Sequence, residues 1–156
     1  MEYKGRVLQC NTLGNNIAEL IFEFQDGSVN KFDQNSLQEL YEVVTQLGKD
    51  QSVKGLLISS GKDSFIVGAD INQFLETFKE PLDKLVQWVK DSQKVFSNLE
   101  NLNIPVVCAI NGFALGGGFE LCLACTYRVA SLEAKIGLPE VKPGFLPGFG
   151  GTSRRP

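Results

Sequence analysis

The stretch Ile104 to Cys125, IPVVCAINGFALGGGFELCLAC, carries most of the information about the fold. Pro105 opens an apolar run, Val106-Val107-Cys108-Ala109-Ile110, of the kind that fits a strand buried on both faces. Asn111-Gly112 breaks that run. Gly116-Gly117-Gly118 then precedes an apolar helix through Phe119 to Cys125. A triple glycine at a helix start lets backbone N–H groups approach a ligand with no Cβ in the way. Those groups lack partners inside the helix and lie at its positive end, so they favour developing negative charge. Close packing of helix on strand explains the same glycines equally well. A phosphate loop of the GxxxxGK[ST] type needs a lysine that is absent, and GxGxxG is not met.

On either side, strands and helices alternate. Ile17 to Phe24 alternates as a strand, after the turn-like Gly14-Asn15-Asn16. Leu37, Leu40, Val44 and Leu47 predict a helix over Asn35 to Leu47, with Asp33 or Asn35 as cap and Gly48 as stop. Gly55 to Ser60 reads as another buried strand. Phe65-Ile66-Val67 leads into Gly68-Ala69-Asp70, and two helices follow, Ile71 to Lys79 and Leu82 to Leu99. In the second, Leu85, Trp88, Val89, Val95, Phe96 and Leu99 mark a buried stripe. Tyr127 to Ser131 and Ala134 to Leu138 read as short strands, and Pro143 to Gly151 as a loop. This order predicts an α/β domain.

The bulk properties narrow the function. A chain of 156 residues suits one domain that needs no staples, and 43% hydrophobic with 21% charged residues is ordinary for a globular protein. A net charge of −3 without a basic run argues against a nucleic-acid partner. No apolar stretch is long enough to span a bilayer, and MEYKGRVLQC is no secretion signal, so a cytoplasmic location is expected. Cys10, Cys108, Cys122 and Cys125 sit mostly in apolar runs, as reduced packing thiols do. The Cys122–Cys125 pair could instead be redox-active or half a metal site. The sequence holds no histidine and no second close cysteine pair, so no metal site is expected, and Ser–His or Cys–His chemistry lacks its base. Chemistry here falls to carboxylates, lysines or backbone groups.

Three features stand out. Glu120 is a carboxylate in the first turn of an apolar helix, either a partner for the helix dipole or a catalytic group. Glu140 follows an apolar strand and precedes a Pro/Gly loop, where it is either solvated or part of a site. Two such carboxylates converging on one pocket could handle one water from two sides. Ser64 to Asp70 ends a strand in Gly-Ala, which presents a free backbone N–H. Asp70 itself reads first as a helix cap.

Together, in this order, these pieces resemble the crotonase (enoyl-CoA hydratase/isomerase) superfamily. Its F-x-x-G-A-D turn, N-G-x-A-x-G-G-G-x-E helix start and G-x-P-E segment match Phe65 to Asp70, Asn111 to Glu120 and Gly137 to Glu140. Pro147 to Gly151 resembles a downstream family loop. Gly27 to Asp33 and Phe65 to Ile71 are similar, more narrowly, to the N-terminal part of the alpha subunits of bacterial fatty acid oxidation complexes.

The resemblance implies a crotonase-like core of repeated ββα turns, α/β in class. Residues 1 to 156 are then a partial N-terminal hydratase/isomerase domain, truncated at the C-terminal side, whose later helices and dehydrogenase part are absent. It implies Glu120 and Glu140 as catalytic carboxylates and the Ala69 and Gly117 amides as an oxyanion hole. Gly68, Asp70, Gly116 and Gly118 become substrate-binding positions. The implied reaction is hydration of a 2-enoyl-CoA to the 3-hydroxyacyl-CoA in β-oxidation, with a shift of a 3-enoyl double bond to the 2-position. No cofactor is expected in this segment, since coenzyme A belongs to the substrate and NAD to the dehydrogenase part. A 3-ketoacyl-CoA thiolase beta subunit is the implied partner, within an oligomer. Arg155 departs from an apolar family position, and weak or no turnover of the 156-residue piece is expected. The alternatives are another crotonase-type reaction on acyl-CoA (isomerisation alone or thioester hydrolysis), an inactive fold fragment, or nucleotide binding by the glycine loops.

Overall fold

The computed structural model describes residues 1–142 and 144–154, so Arg155 lies outside the described residues. The chain opens with an antiparallel hairpin, β1 (Tyr3–Lys4) and β2 (Leu8–Thr12), joined by β3 (Ile17–Phe22). Helix α1 (Gln34–Leu47) leads to β4 (Gly55–Ser60), and α2 (Ile71–Thr77) with α3 (Leu82–Glu100) leads to β5 (Val106–Ile110). Then come β6 (Phe113–Leu115), α4 (Gly117–Ala124), β7 (Tyr127–Ala130), β8 (Lys135–Gly137) and α5 (Gly151–Arg154).

Among the described residues a six-stranded sheet runs β1-β2-β3-β4-β5-β7, with every pairing from β3 onward parallel. A second, two-stranded parallel sheet pairs β6 with β8. Isolated parallel bridges extend it in kind, Ile66 to Ala114 and Phe32 to Ala69. Each pass of the chain therefore lays one strand in the large sheet, touches the small layer, and returns by a helix. Strands β5, β6 and helix α4 form one such turn, and β7, β8 and α5 form the next. This is the repeated ββα coil that the resemblance implied.

Local chemistry sets most element ends. Asp33, not Asn35, caps α1: its carboxylate accepts from the Ser36 N–H at 2.7 Å while the Asp33 N–H donates to Ser36 Oγ at 2.8 Å. Such reciprocal caps contribute about 1 kcal/mol. Strand β3 stops at Phe22, two residues short of the predicted end, because the Phe24 N–H turns away to Asn30 Oδ1 at 2.9 Å. Helix α2 stops at Thr77, not Lys79, where bonds tighten to i→i−3 ahead of Pro81. The glycine run is partly helical: Gly117 and Gly118 already belong to α4.

Three strands had no counterpart in the sequence pattern: β1, β2 and β6. The last is three residues long, too short for period-two alternation to show. The α3 stripe is real but divided. Val95, Phe96 and Leu99 are buried in the core, whereas Leu85, Trp88 and Val89 are only half-buried. All four cysteines are free and buried. Among the described residues no helix is long and apolar enough to cross a membrane.

Two core features position the segments around Ala69 and Glu140. Asn30 is fully buried, and its amide donates to Phe22 O, Ser60 Oγ and Phe65 O at 2.9 to 3.1 Å. Its own carbonyl accepts the Val67 N–H at 2.9 Å, so one residue ties the ends of β3 and β4 to the segment before Ala69. Phe32, Phe96 and Phe149 meet edge to face, with centroids 5.3 to 6.0 Å apart. This cluster carries the core as far as the loop after Glu140.

Candidate active site

A cavity of about 460 Å³ opens where the small layer meets the helices. Its apolar wall consists of Ile71 and Phe74 from α2, Trp88 and Val89 from α3, and Phe145 and Leu146 from the last loop. That explains the half-burial of Trp88 and Val89, whose stripe turns here from core to cavity. Polar groups gather at the other side. Gly68, Ala69, Gly116, Gly117, Glu120 and Glu140 all line this one space. A smaller groove of about 310 Å³ between α1 and α3 holds none of the candidate site residues.

The two glycine turns lie against each other. Gly68 has φ +107° and Gly116 has φ +53°, both in the left-handed half of the map where L side chains are strained. A Cβ on Gly116 would stand 3.7 Å from Gly68 Cα and 2.9 Å from Glu140 Oε1. Glycine here thus allows both the backbone conformation and the approach of the carboxylate. The Gly116 N–H donates to Gly137 O and the Gly116 carbonyl accepts the Glu120 N–H, which fixes the turn at each end. Neither the Ala69 N–H nor the Gly117 N–H donates to another group among the described residues. These are the two amides expected to grip an oxygen.

Glu120 is 1% exposed, yet it lines the cavity. Its Oε1 accepts two backbone N–H groups, from Phe149 at 2.9 Å and Gly151 at 2.8 Å. Among the described residues Oε2 has no hydrogen bond and is the oxygen left for a guest. Burial pushes the carboxyl above the ordinary range, the two amides pull it down, and the nearby Glu140 charge pushes it up. The Arg154 guanidinium opposes that rise. Glu140 is half-buried, and its Oε2 is shut from solvent with no hydrogen-bond partner among the described residues. A buried carboxylate oxygen without a partner is costly unless something else satisfies it.

Asp70 and Gly118 do not line the cavity. Asp70 caps α2, accepting from the Asn72 and Gln73 N–H groups, and pairs with Lys31 Nζ at 2.5 Å. Gly118 serves packing: a Cβ there would come within 2.1 Å of Ile66 O. Within the glycine run, Gly118 thus meets the packing role, while Gly116 and Gly117 line the cavity. Sequence reasoning missed the Phe149 and Gly151 amides, Arg154 and Asn30. Backbone donors carry no side-chain signature, and only the Pro147 to Gly151 loop hinted at the first two.

Comparison with known proteins agrees with this fold. The sequence model described as enoyl-CoA hydratase/isomerase matches residues 13–156. The chain is 51% identical over 156 residues to the fatty acid oxidation complex subunit alpha of Pseudomonas entomophila, covering all of this chain and 22% of that protein. The protein of the same name from Colwellia psychrerythraea is 50% identical over the same span, again 22% of its length. The chain therefore spans about a fifth of these relatives. Among solved structures, an enoyl-CoA hydratase from Bacillus anthracis superposes with a TM-score of 0.84 at 28% identity, over 95% of this chain and 56% of that one. One from Geobacillus kaustophilus gives 0.88 at 27% identity, over 99% and 57%. With a family match over nearly its whole length and the coil of ββα turns in place, the chain belongs to the enoyl-CoA hydratase/isomerase family and carries the crotonase fold.

Proposed function

We propose that the cavity binds a 2-enoyl-CoA thioester and adds water across its double bond, with Glu120 and Glu140 handling the protons. The observation that carries this reading is the convergence on one largely apolar cavity of two carboxylates and two amides that have no partner among the described residues. The thioester oxygen accepts from the Ala69 and Gly117 N–H groups. As water attacks C3, one of its O–H bonds breaks towards the Glu120 carboxylate. The electron pair of the C2–C3 bond moves towards the thioester oxygen, which the fixed amides stabilise as an enolate. C2 then takes its proton from the Glu140 side. The product is a 3-hydroxyacyl-CoA.

The same groups support isomerisation. Glu140 removes a proton from C2 of a 3-enoyl thioester, the enolate forms against the same amides, and the proton returns at C4. The relatives' shared name, fatty acid oxidation complex subunit alpha, supports a place in fatty acid β-oxidation, and on the sequence resemblance we extend the proposal to a dehydrogenase part and a 3-ketoacyl-CoA thiolase subunit.

The test is water addition to a short 2-enoyl-CoA, tracked by loss of the conjugated thioester absorbance. It is run on this chain and on a longer protein that carries it as its N-terminal part. Glu120→Gln and Glu140→Gln are each expected to lower the rate about 10²- to 10⁴-fold. Wild-type hydration by both variants would sink the assignment.

A further inference from the structure

Glu120 does not hold its own orientation. It depends on the turn from Phe149 to Gly151, whose two amides both reach Oε1. The Phe149 ring is anchored in the aromatic core, but the backbone of the turn runs through a Gly/Pro segment in which Gly150 adopts φ +96°. Something must fix it, and the neighbouring contacts show what does.

The Arg154 guanidinium lies directly on the turn. Its Nη1 donates to Phe149 O at 2.9 Å, and a Cβ on Gly150 would come within 2.3 Å of the same nitrogen. The other side of the fork reaches α3. Nε donates to Glu100 Oε2 at 2.8 Å and Nη2 to Ser97 Oγ at 3.2 Å. The Arg154 side chain is 10% exposed, less than any other ion-paired side chain among the described residues, while its partner Glu100 is 47% exposed. Three acceptors on two elements are thus met by one rigid plane, which a lysine cannot reproduce. The α3 end is firm, because Phe96 and Leu99 beside it are fully buried. Phe149 takes part on both sides, its carbonyl accepting from Arg154 and its N–H donating to Glu120.

We propose that Arg154 is a positioning residue for Glu120, fastening the Phe149–Gly151 turn to α3 so that the turn's two amides hold the carboxyl in place. The side chain has a second, electrostatic effect. Its positive charge pulls the Glu120 carboxyl down against the upward push of burial. Loss of Arg154 therefore acts twice in one direction: the charge goes, and the amide bonds to the carboxylate loosen. Both changes favour the protonated carboxyl.

Only the kinetic arm of the test rests on the hydratase reading. The direct arm is titration of the Glu120 carboxyl by ¹³C NMR in glutamate-labelled chain, with Glu120→Gln assigning the resonance. In Arg154→Gln the midpoint is expected to move to higher pH, and in Arg154→Lys to move less. In a hydration assay Arg154→Gln should lower kcat about ten- to a hundredfold at neutral pH. KM should change by less than about threefold, because the group acts on the reacting geometry more than on binding. The acid limb of the rate profile should shift upward with the titration. A folded Arg154→Gln chain with an unmoved Glu120 titration overturns the proposal. If that variant does not fold, Arg154→Lys decides the matter: unchanged titration and unchanged kcat in the folded lysine variant overturn the clamp. A wild-type longer protein, carrying this chain as its N-terminal part, with no hydration activity counts against the hydratase reading and leaves the titration arm standing.

Discussion

Glu120 shows most clearly what the fold gives up for its site. A carboxylate that is 1% exposed has lost most of its hydration, and two amides on one oxygen restore only part of it. Its folded-state pKa is accordingly raised, chiefly by burial. For a carboxyl raised in this way, the favourable contribution is complete below the unfolded value of about 4.3 and is lost as pH rises through the folded value. Above that folded value the protein bears the cost of an ionised, buried Glu120. Glu120→Gln keeps an oxygen for the Phe149 and Gly151 amides but carries no charge. We expect its melting temperature at neutral pH to exceed wild type by a few degrees even as activity is lost. The advantage should shrink towards zero as the buffer is taken below about pH 4. Calorimetric scans of both chains across that range check the point, and a variant less stable at neutral pH would show that the amide bonds need the charge. The presence of Glu120 was legible in the sequence as an acid in an apolar helix. The two amides that hold it were not, because they belong to residues whose side chains have nothing to do with the bond.

At the scale of elements, legibility depends on the range of the forces involved. Helix α1 could be read because its stripe and its Asp33 cap are local. The β1–β2 hairpin could not, because a residue 31 to 33 positions further on secures it. The Glu39 carboxylate on α1 accepts the Arg6 N–H at 2.9 Å, the Val7 N–H at 3.0 Å and the Leu8 N–H at 2.8 Å. Gly5 leaves room for it, since a Cβ there would stand 2.2 Å from Glu39 Oε2. Charge-assisted bonds of this kind are each worth about 1.5–3 kcal/mol, and losing their acceptor leaves part-buried donors unmet. Glu39→Ala is predicted to lower stability by about 2–4 kcal/mol in a denaturant titration. Tyr41→Ala, two residues away on the half-open face of α1, should cost much less. Equal losses would mean that Glu39 acts through helix propensity and not through the hairpin.

Across the whole molecule, the coil of ββα turns sorts rigid parts from movable ones. The buried strand runs that reveal an α/β protein in the sequence, Gly55 to Ser60 and Val106 to Ile110, form the middle of the large sheet. The site was legible as motifs and not as a space. Phe65 to Asp70, Asn111 to Glu120 and Gly137 to Glu140 announce themselves separately, and only the second layer, through the Ile66–Ala114 bridge and the β6–β8 pairing, brings them together. Opposite those turns the cavity wall is α2, which contains no buried residue and leaves Ile71 at 60% and Leu75 at 48% exposure. Its hold on the rest comes from Asp70 at its start, from Gln73 Oε1, which accepts the Gln34 N–H at 2.7 Å, from Phe74 against Trp88 and Phe145, and from Phe78 stacked on Phe145 at its end. An element with so little buried surface opens locally at a small fraction of the global unfolding free energy. Hydrogen exchange at neutral pH should therefore find α2 amides exchanging at least about a hundredfold faster than those of β4, whose Leu56 and Ile58 are buried. Saturation with a non-reactive acyl-CoA thioester should slow α2 markedly and leave β4 unchanged, because under the proposed function the acyl chain would cover the exposed Ile71 and complete the wall around Phe74. If α2 exchanged as slowly as β4 in the free chain, its exposed face would have to be covered by something other than substrate.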